Sequence, residues 1–509
     1  MQGSRDGRRT ALLGAVSAGG EGPGRRALLR YLGKLAVVAT GYFVLAKAGL
    51  EFAFANQSVT SVWPPTGLAL AAILIWGYRM WPAVAAGAFL ANITTAGPLL
   101  GVLGITTGNT LEAVVGAYLL TRVAGFRPTL ERVKDVSALV FYAAILSTMI
   151  SATIGVASLL AAGLVPDGEI ASTWRVWWFG DLGGDLIVAP ALLVIASRPW
   201  SELRLGIHAD ATALLAVLVG VSVFAFTVES TLSYVVFPIL FWIAFRFRQP
   251  GTVAAGVIVS AIAVWFTAHG EGPFIDGSQD SELLRAQTFV GVATVTGLLG
   301  AALITERRQA GEQLRYLADH DQMTGLLNRG RFTEELRAWF AYNSRYDVQG
   351  AVLIIDVDHF KEVNDGLGHA AGDELLVRLA SVLRRRLRDT DVAARWGGDE
   401  FTVLLPRASE DEAATVAAAL LEALRSEGAV MSEEGMRKAT VSIGVTPFGS
   451  GLGLDLDEVL ARADIALYRA KNAGRDQVQL LDGSGPTGEA KLRLALRNRP
   501  AVDDPMILD

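Results

Sequence analysis

The chain has 509 residues, 51% of them hydrophobic, with a formal net charge of -6 and no cysteine. Lack of cysteine excludes disulfides, thiolate metal sites and cysteine catalysis, and the absence of a long basic run after the N-terminus argues against a nucleic-acid polymer as partner. Long apolar runs crowd residues 31–305, whereas 306–481 alternate charged and apolar residues as water-facing domains do.

Residues 1–30, rich in Gly and Arg, read as a basic disordered tail. A bilayer-spanning helix needs roughly 20 mostly apolar residues. By that criterion residues 31–305 hold about ten candidate spans, or eight if the weakest are dropped. Their centres fall near Ala39, Leu70, Ala88, Leu111, Ser151, Ile187, Val217, Pro238, Val257 and Thr294. Cytoplasmic loops are enriched in Lys and Arg. With the N-terminus inside, one set of loops carries Arg25, Arg26, Arg30, Lys34, Arg79, Arg122, Arg127, Arg132, Lys134, Arg198, Arg204, Arg246, Arg248, Arg307 and Arg308. The opposite set carries mainly Arg175 and Arg285 beside acids such as Asp167, Glu229, Glu271, Asp276 and Asp280. This alternation places everything after residue 306 in the cytoplasm.

Polar residues interrupt the apolar spans: Lys47, Glu51, Asn92, Asn109, Glu112, Asp181 and Asp185. Ionisable groups within a membrane are costly and are usually paired or line a cavity. Two readings apply to Glu112, Trp177, Asp181 and Asp185: a pocket for a sensed ligand of unknown identity, or helix–helix hydrogen bonding with interfacial tryptophans. Trp63-Pro64-Pro65-Thr66-Gly67 breaks a helix start. That run, the Trp177-Trp178-Phe179-Gly180-Asp181 run and the multi-span pattern together resemble the first class of MASE domain, over roughly residues 33–305. The resemblance implies a polytopic α-helical sensor module of the bacterial cell membrane, N-terminal to a signalling output domain.

Glu306 to Leu317 reads as an amphipathic helix continuing the last span, a signalling linker over 306–318. Leu314 and Leu317 at a three-residue spacing suit a dimer seam or a plain connector. From 319 to 481, strand and helix signals alternate. Ala351 to Ile355 is a buried strand ending in Asp356-Val357-Asp358. Helical patterns cover 372–388, 408–427 and 457–473, and a further strand spans Ala439 to Val445. An α+β sandwich on an antiparallel-rich sheet fits this order.

Val392-Ala393-Ala394 and Thr402-Val403-Leu404-Leu405 flank Gly397-Gly398-Asp399-Glu400-Phe401, which reads as a β-hairpin with two carboxylates at its tip. Adjacent strands lie ~5 Å apart, so Asp356 at a strand end and Asp399 on the hairpin can share one hard divalent cation. Gly183-Gly184-Asp185 repeats the triplet inside an apolar segment, where no paired strand acid accompanies it.

Five motifs recur in order across about 160 residues: Asp319-His320-Asp321-Gln322-Met323-Thr324-Gly325-Leu326-Leu327-Asn328-Arg329; Asp356-Val357-Asp358-His359-Phe360-Lys361; Asn364-Asp365 with Gly368-His369 and Gly372-Asp373; Arg395 to Phe401; and Ala463-Asp464 through Lys471 to Gly474-Arg475. Residues 319–481 thereby resemble the GGDEF domain of diguanylate cyclases, with a palm-like, nucleotidyl-cyclase-like fold. The resemblance implies Mg2+ (or Mn2+) held by Asp356, Asp399 and the Val357 carbonyl. It implies guanine reading by Asn364 and Asp373, with His369 lining the same site. Lys361 would stabilise transition-state charge, and Lys471 and Arg475, read as four apart on one helix face, would hold the β- and γ-phosphates. Glu400 or Asp399 would assist deprotonation of the attacking hydroxyl. The implied reaction condenses two GTP into cyclic di-GMP and two pyrophosphates, with one site per domain, so a homodimer is required.

Arg388-Asp389-Thr390-Asp391 matches the family's RxxD product site, which implies that Arg388 and Asp391 bind cyclic di-GMP as an inhibitor. Read alone it is a basic helix end, continuing Arg384, Arg385 and Arg386. Residues 482–509 read as a flexible tail. Two alternatives carry different chemistry: a catalytically silent receptor for cyclic di-GMP, and a cyclase with a mixed or adenine product.

Overall fold

The computed structural model describes residues 23–481 except 52, 56–58, 61, 96, 199–208, 228–229, 276–278, 347, 428, 433–434 and 450–453. The segments 1–22 and 482–509, read above as tails, lie outside the described residues. Contacts divide the chain into two units, Met1–Gln309 and Ala310–Asp509.

Among its described residues the first unit is all helical apart from a short strand pair. Its first helix, Pro23–Glu51, starts inside the segment expected to be a tail. Pro64–Trp76, Trp81–Ile93, Leu99–Tyr118, Thr148–Ala161, Ile170–Ala196, Ala209–Thr227, Val236–Ala268 and Gln279–Asp319 account for the other expected centres. Among the described residues, seven helices are long and apolar enough to cross a membrane, fewer than the eight to ten expected. Two physical reasons account for the difference. The helices around Leu70 and Ala88 have 13 residues each, about 20 Å at 1.5 Å per residue, short of a ~30 Å hydrocarbon core. The centres at Pro238 and Val257 share one helical run, broken at Arg248 where φ is 55°.

Prolines at the first two positions start the Pro64–Trp76 helix, where a missing N–H costs nothing. That helix crosses Ile170–Ala196 at glycines. A Cβ on Gly67 would run into the Gly184 carbonyl, and one on Gly184 into the Trp63 carbonyl. The Trp63 N–H donates to the Gly180 carbonyl at 2.8 Å. Gly183-Gly184-Asp185 is therefore a seam that lets two backbones approach, unrelated to the hairpin that shares its letters.

Basic loop residues meet at one end of this unit. Tyr31 Oη donates to the Arg79 carbonyl, Arg198 pairs with Glu131 at 3.3 Å, and the Val133 N–H donates to Glu306. Arg132 forms a bidentate pair with buried Asp135.

In the second unit a six-stranded mixed sheet runs in the order Val478–Leu480, Val441–Phe448, Gly350–Val357, Glu400–Pro406, Val392–Gly397, Leu327–Asn328. Gly350–Val357 is central and buried along its whole length, which explains its unbroken apolar run. Ala351, Leu353 and Ile355 pack with His369–Arg386 and Glu410–Glu427 on one face. Val352 and Ile354 pack with Arg329–Tyr346 and Leu456–Asn472 on the other. The expected strands and helices are all present, within a few residues of their expected ends. At Gly444 the helix lies so close that a Cβ would strike the backbone of Ala463 and Leu467.

Candidate active site

The site is built where the central strand ends. Asp356 pairs in register with Glu400 on one side and with Ser442 on the other. The hairpin needs only Gly398 and Asp399 to turn, and Gly398 takes φ 50°, a left-handed conformation that glycine adopts without a Cβ penalty. Main chain ties the tip to the strand end, the Val357 N–H donating to the Asp399 carbonyl at 3.3 Å. Asp356, Asp399 and Glu400 are thus brought together, as the sequence implied.

Lys471 reaches Asp356 from the Leu456–Asn472 helix, its Nζ 2.7 Å from Oδ1. Burial pushes the Asp356 carboxyl up to about 6; Lys471 pulls it down, and the Asp399 and Glu400 charges push it up. The site thus gathers carboxylates beside one ammonium.

Arg475 departs from expectation. The helix stops at Asn472, and Gly474, Arg475 and Asp476 follow with φ of 116°, 61° and 47°. Arg475 is therefore exposed on a left-handed turn after the helix and does not share a helix face with Lys471. Lys361 is exposed in the first turn of Phe360–Leu367. Asn364 lies on that helix with its amide oxygen over Gly372, where a Cβ would collide with it. Asp373 is the next residue, exposed near the start of His369–Arg386, and His369 opens that helix. Lys361, Asn364, His369 and Asp373 thus lie on two consecutive helices. Arg388 follows the second of these helices, which ends at Arg386. It sits in a turn closed by its own N–H donating to Asp391 Oδ2 at 2.9 Å and by the Asp391 N–H donating to its carbonyl at 3.0 Å.

Two residues escaped the sequence reading. Asp358, 3% exposed, accepts from Ser442 Oγ at 2.7 Å, Thr440 Oγ1 at 2.8 Å and the Asp476 N–H at 3.1 Å. It locks the turn bearing Arg475 to the strand end bearing Asp356. Arg395 donates to the Gly398 carbonyl from Nε at 2.9 Å and from Nη2 at 2.6 Å, and also reaches Asp321 at 3.3 Å. It holds the hairpin tip from behind. Its place beside Gly397 was visible; its direction was not.

In the membrane unit, Glu112, Asp181 and Asp185 are each 1% exposed. Asp181 and Asn109 line one cavity, and Asp185 and Glu112 lie one helical turn further along their respective helices. Trp177 joins them through its Nε1, which donates to Ser151 Oγ at 3.2 Å, and Ser151 donates to Asn109. Trp174 and Trp178 also turn their N–H groups inward, to Thr153 and to the Ile145 carbonyl.

A polytopic helical unit followed by an α+β unit with carboxylates gathered at the end of its central strand defines the class. Residues 35–308 match the MASE1 family model, and the chain belongs to that family. Residues 318–477 match the model for the diguanylate cyclase GGDEF domain. Over 209 residues the chain is 39% identical to diguanylate cyclase DgcM of Escherichia coli, covering 40% of this chain and 50% of that one. It is 41% identical to diguanylate cyclase DgcP of Pseudomonas aeruginosa, over 33% of this chain and 25% of the relative. A cyclic di-GMP phosphodiesterase, NbdA of Pseudomonas aeruginosa, is 36% identical over 35% of this chain and 22% of its own. The chain spans half the length or less of these relatives. The solved coiled coil and GGDEF domain of DgcB from Caulobacter crescentus, in complex with c-di-GMP, is 31% identical and covers 35% of this chain and 94% of that one, with a TM-score of 0.34.

Proposed function

We propose that this protein is a membrane-bound diguanylate cyclase that condenses two GTP into cyclic di-GMP and two pyrophosphates. The observation that carries this reading is the meeting of Asp356, Asp399, Glu400 and Lys471 at the end of the central strand. The donor set fits magnesium. It offers hard carboxylate oxygens without thiolate or imidazole. Among the described residues no three His, Asp or Glu side chains form a ready cage. Mg2+ keeps several waters and takes one or two carboxylates with substrate phosphates. Asp356 and Asp399 would hold it with the Val357 carbonyl, and bound there it would offset charge on the α-phosphate and the departing pyrophosphate.

The chain's own residues do the rest. Asn364 and Asp373 hydrogen-bond the guanine edge, a carboxylate accepting from N–H groups that adenine lacks. Lys471 and Arg475 neutralise the β- and γ-phosphates, and Lys361 the charge that grows at the α-phosphorus. The 3′-oxygen of one GTP attacks the α-phosphorus of the other, Glu400 or Asp399 takes its proton, and the bond to pyrophosphate breaks. One site holds one GTP, so two chains must face each other.

Leu314 and Leu317, at 68% and 40% exposure on Gln279–Asp319, suit a homodimer seam, and that helix suits relay from the membrane unit. The basic end of the helical bundle supports a cytoplasmic location for the second unit, in a bacterial inner membrane. Arg388, exposed above the Asp391-closed turn, suits product binding and feedback inhibition. GTP supplied to the full-length protein in lipid nanodiscs with Mg2+ should yield cyclic di-GMP; no product, even after cross-linking into dimers, refutes the reading.

A further inference from the structure

The membrane unit holds a cavity of about 90 Å3 walled by Trp63, Asn92, Thr95, Asn109, Trp177 and Asp181. A water needs at least ~15 Å3 on this scale, so the cavity admits about six non-hydrogen atoms. Among the described residues no Lys, Arg or His lines it. Asp181 is 1% exposed. Its Oδ1 accepts from Thr66 Oγ1 at 3.1 Å, while Oδ2 has no hydrogen-bond partner among the described residues. Behind it, Glu112 lacks a partner on both oxygens and Asp185 on one. Three buried acids with four unpartnered oxygens are expensive to ionise in a membrane unless something cationic answers them.

We propose that this cavity binds a small ligand bearing a protonated amine, its ammonium held by Asp181 between the Trp63 and Trp177 indoles. Indole faces attract cations as well as fill space. Asn92, Asn109 and Thr95 supply neutral donors and acceptors for the rest of the ligand. Glu112 and Asp185 stand outside the lining, so they do not crowd the cavity. Lys47 stands behind the lining, its Nζ donating to Thr95 Oγ1 at 3.0 Å, so Thr95 carries its influence to a carboxylate if the ligand is an amino acid rather than a simple amine. A metal ion suits the site less well, because no three acidic or histidine side chains among the described residues are placed to ligate one. Binding here does not rest on the cyclase reading, since it is measured without GTP.

The test uses the full chain in lipid nanodiscs with putrescine, choline and glycine as probes, and butanediol and dimethylbutanol as neutral isosteres. Tryptophan fluorescence and thermal unfolding report binding. At least one amine should raise the melting temperature by several degrees and change the fluorescence, with its isostere inert. Asp181→Asn should weaken that binding at least tenfold. If Asp181→Asn does not fold, the selectivity of the wild-type protein for amine over isostere still decides. Glycine binding lost in Lys47→Ala, with putrescine and choline unaffected, would name an amino acid as the ligand; unchanged glycine binding would name a simple amine. No response to any amine, equal response to the neutral isosteres, or undiminished binding in Asp181→Asn overturns the proposal.

Discussion

Lys471 donates to Asp356 across 2.7 Å, joining the residue assigned to phosphate to the residue assigned to metal. Lys471→Met would leave a largely buried carboxylate without its cation. Charge-assisted hydrogen bonds are worth about 1.5–3 kcal/mol, so turnover efficiency should fall about 10- to 100-fold. The loss should appear mainly in KM for GTP, and steady-state kinetics across a GTP series would show it.

Gly372 carries the Asn364 amide against its Cα. Gly372→Ala should displace that amide while leaving the fold intact, because the obstructed atom is the end of a side chain. We expect KM for GTP to rise about tenfold, the scale of one neutral hydrogen bond, and discrimination against ATP to weaken. Competition between the two nucleotides measures both.

Gly444 faces backbone rather than a movable side chain. Gly444→Ala forces the helix from the sheet, at a cost of about 1–3 kcal/mol, as overpacking typically does. Urea denaturation of the second unit within the full chain should show a lower midpoint with an unchanged slope.

Asp358 positions rather than reacts. Asp358→Asn replaces one acceptor oxygen with a donor among Thr440, Ser442 and the Asp476 N–H, so the turn bearing Arg475 should loosen. KM should rise with kcat largely retained. A collapse of kcat at unchanged KM would instead place Asp358 among the reacting groups.

Asp321 gives the pH dependence its sign. Burial raises its carboxyl, but the Thr324 hydroxyl and N–H, with Arg395, outweigh burial and bring it below its ordinary value. A carboxyl lowered in the folded state contributes stability above its unfolded pKa, near 4, and loses it as pH falls through the folded value. The urea midpoint should therefore drop from pH 6 to pH 3 more steeply in the wild type than in Asp321→Asn. Equal slopes would remove Asp321 from the account.

Much of the second unit was legible because its residues carry period and punctuation. The unbroken run Ala351 to Ile355 requires burial on both faces, and Gly398 permits the positive φ of a two-residue hairpin. What stayed hidden depends on direction. Asp358 looked like a strand-terminating acid until Ser442 and Asp476 were folded onto it. Arg475 counted as one helical turn from Lys471, yet Gly474 stops the helix between them. In the membrane unit, hydropathy marks where apolar chain lies but not whether 13 residues span or whether Arg248 divides one run in two. Nor can composition show that Asn109 and Asp181, carried on two helices, line one cavity.

The central claim is that the second unit makes cyclic di-GMP at Asp356 and Asp399. The most direct test compares wild-type protein with Asp356→Asn, in nanodiscs with GTP and Mg2+, by mass spectrometry of the products. The account predicts cyclic di-GMP and pyrophosphate in a one-to-two ratio from the wild type, and at least a hundredfold less from the variant, the scale on which one electrostatic contact to a transition state acts. Undiminished product from Asp356→Asn, or none from the wild type, would contradict it.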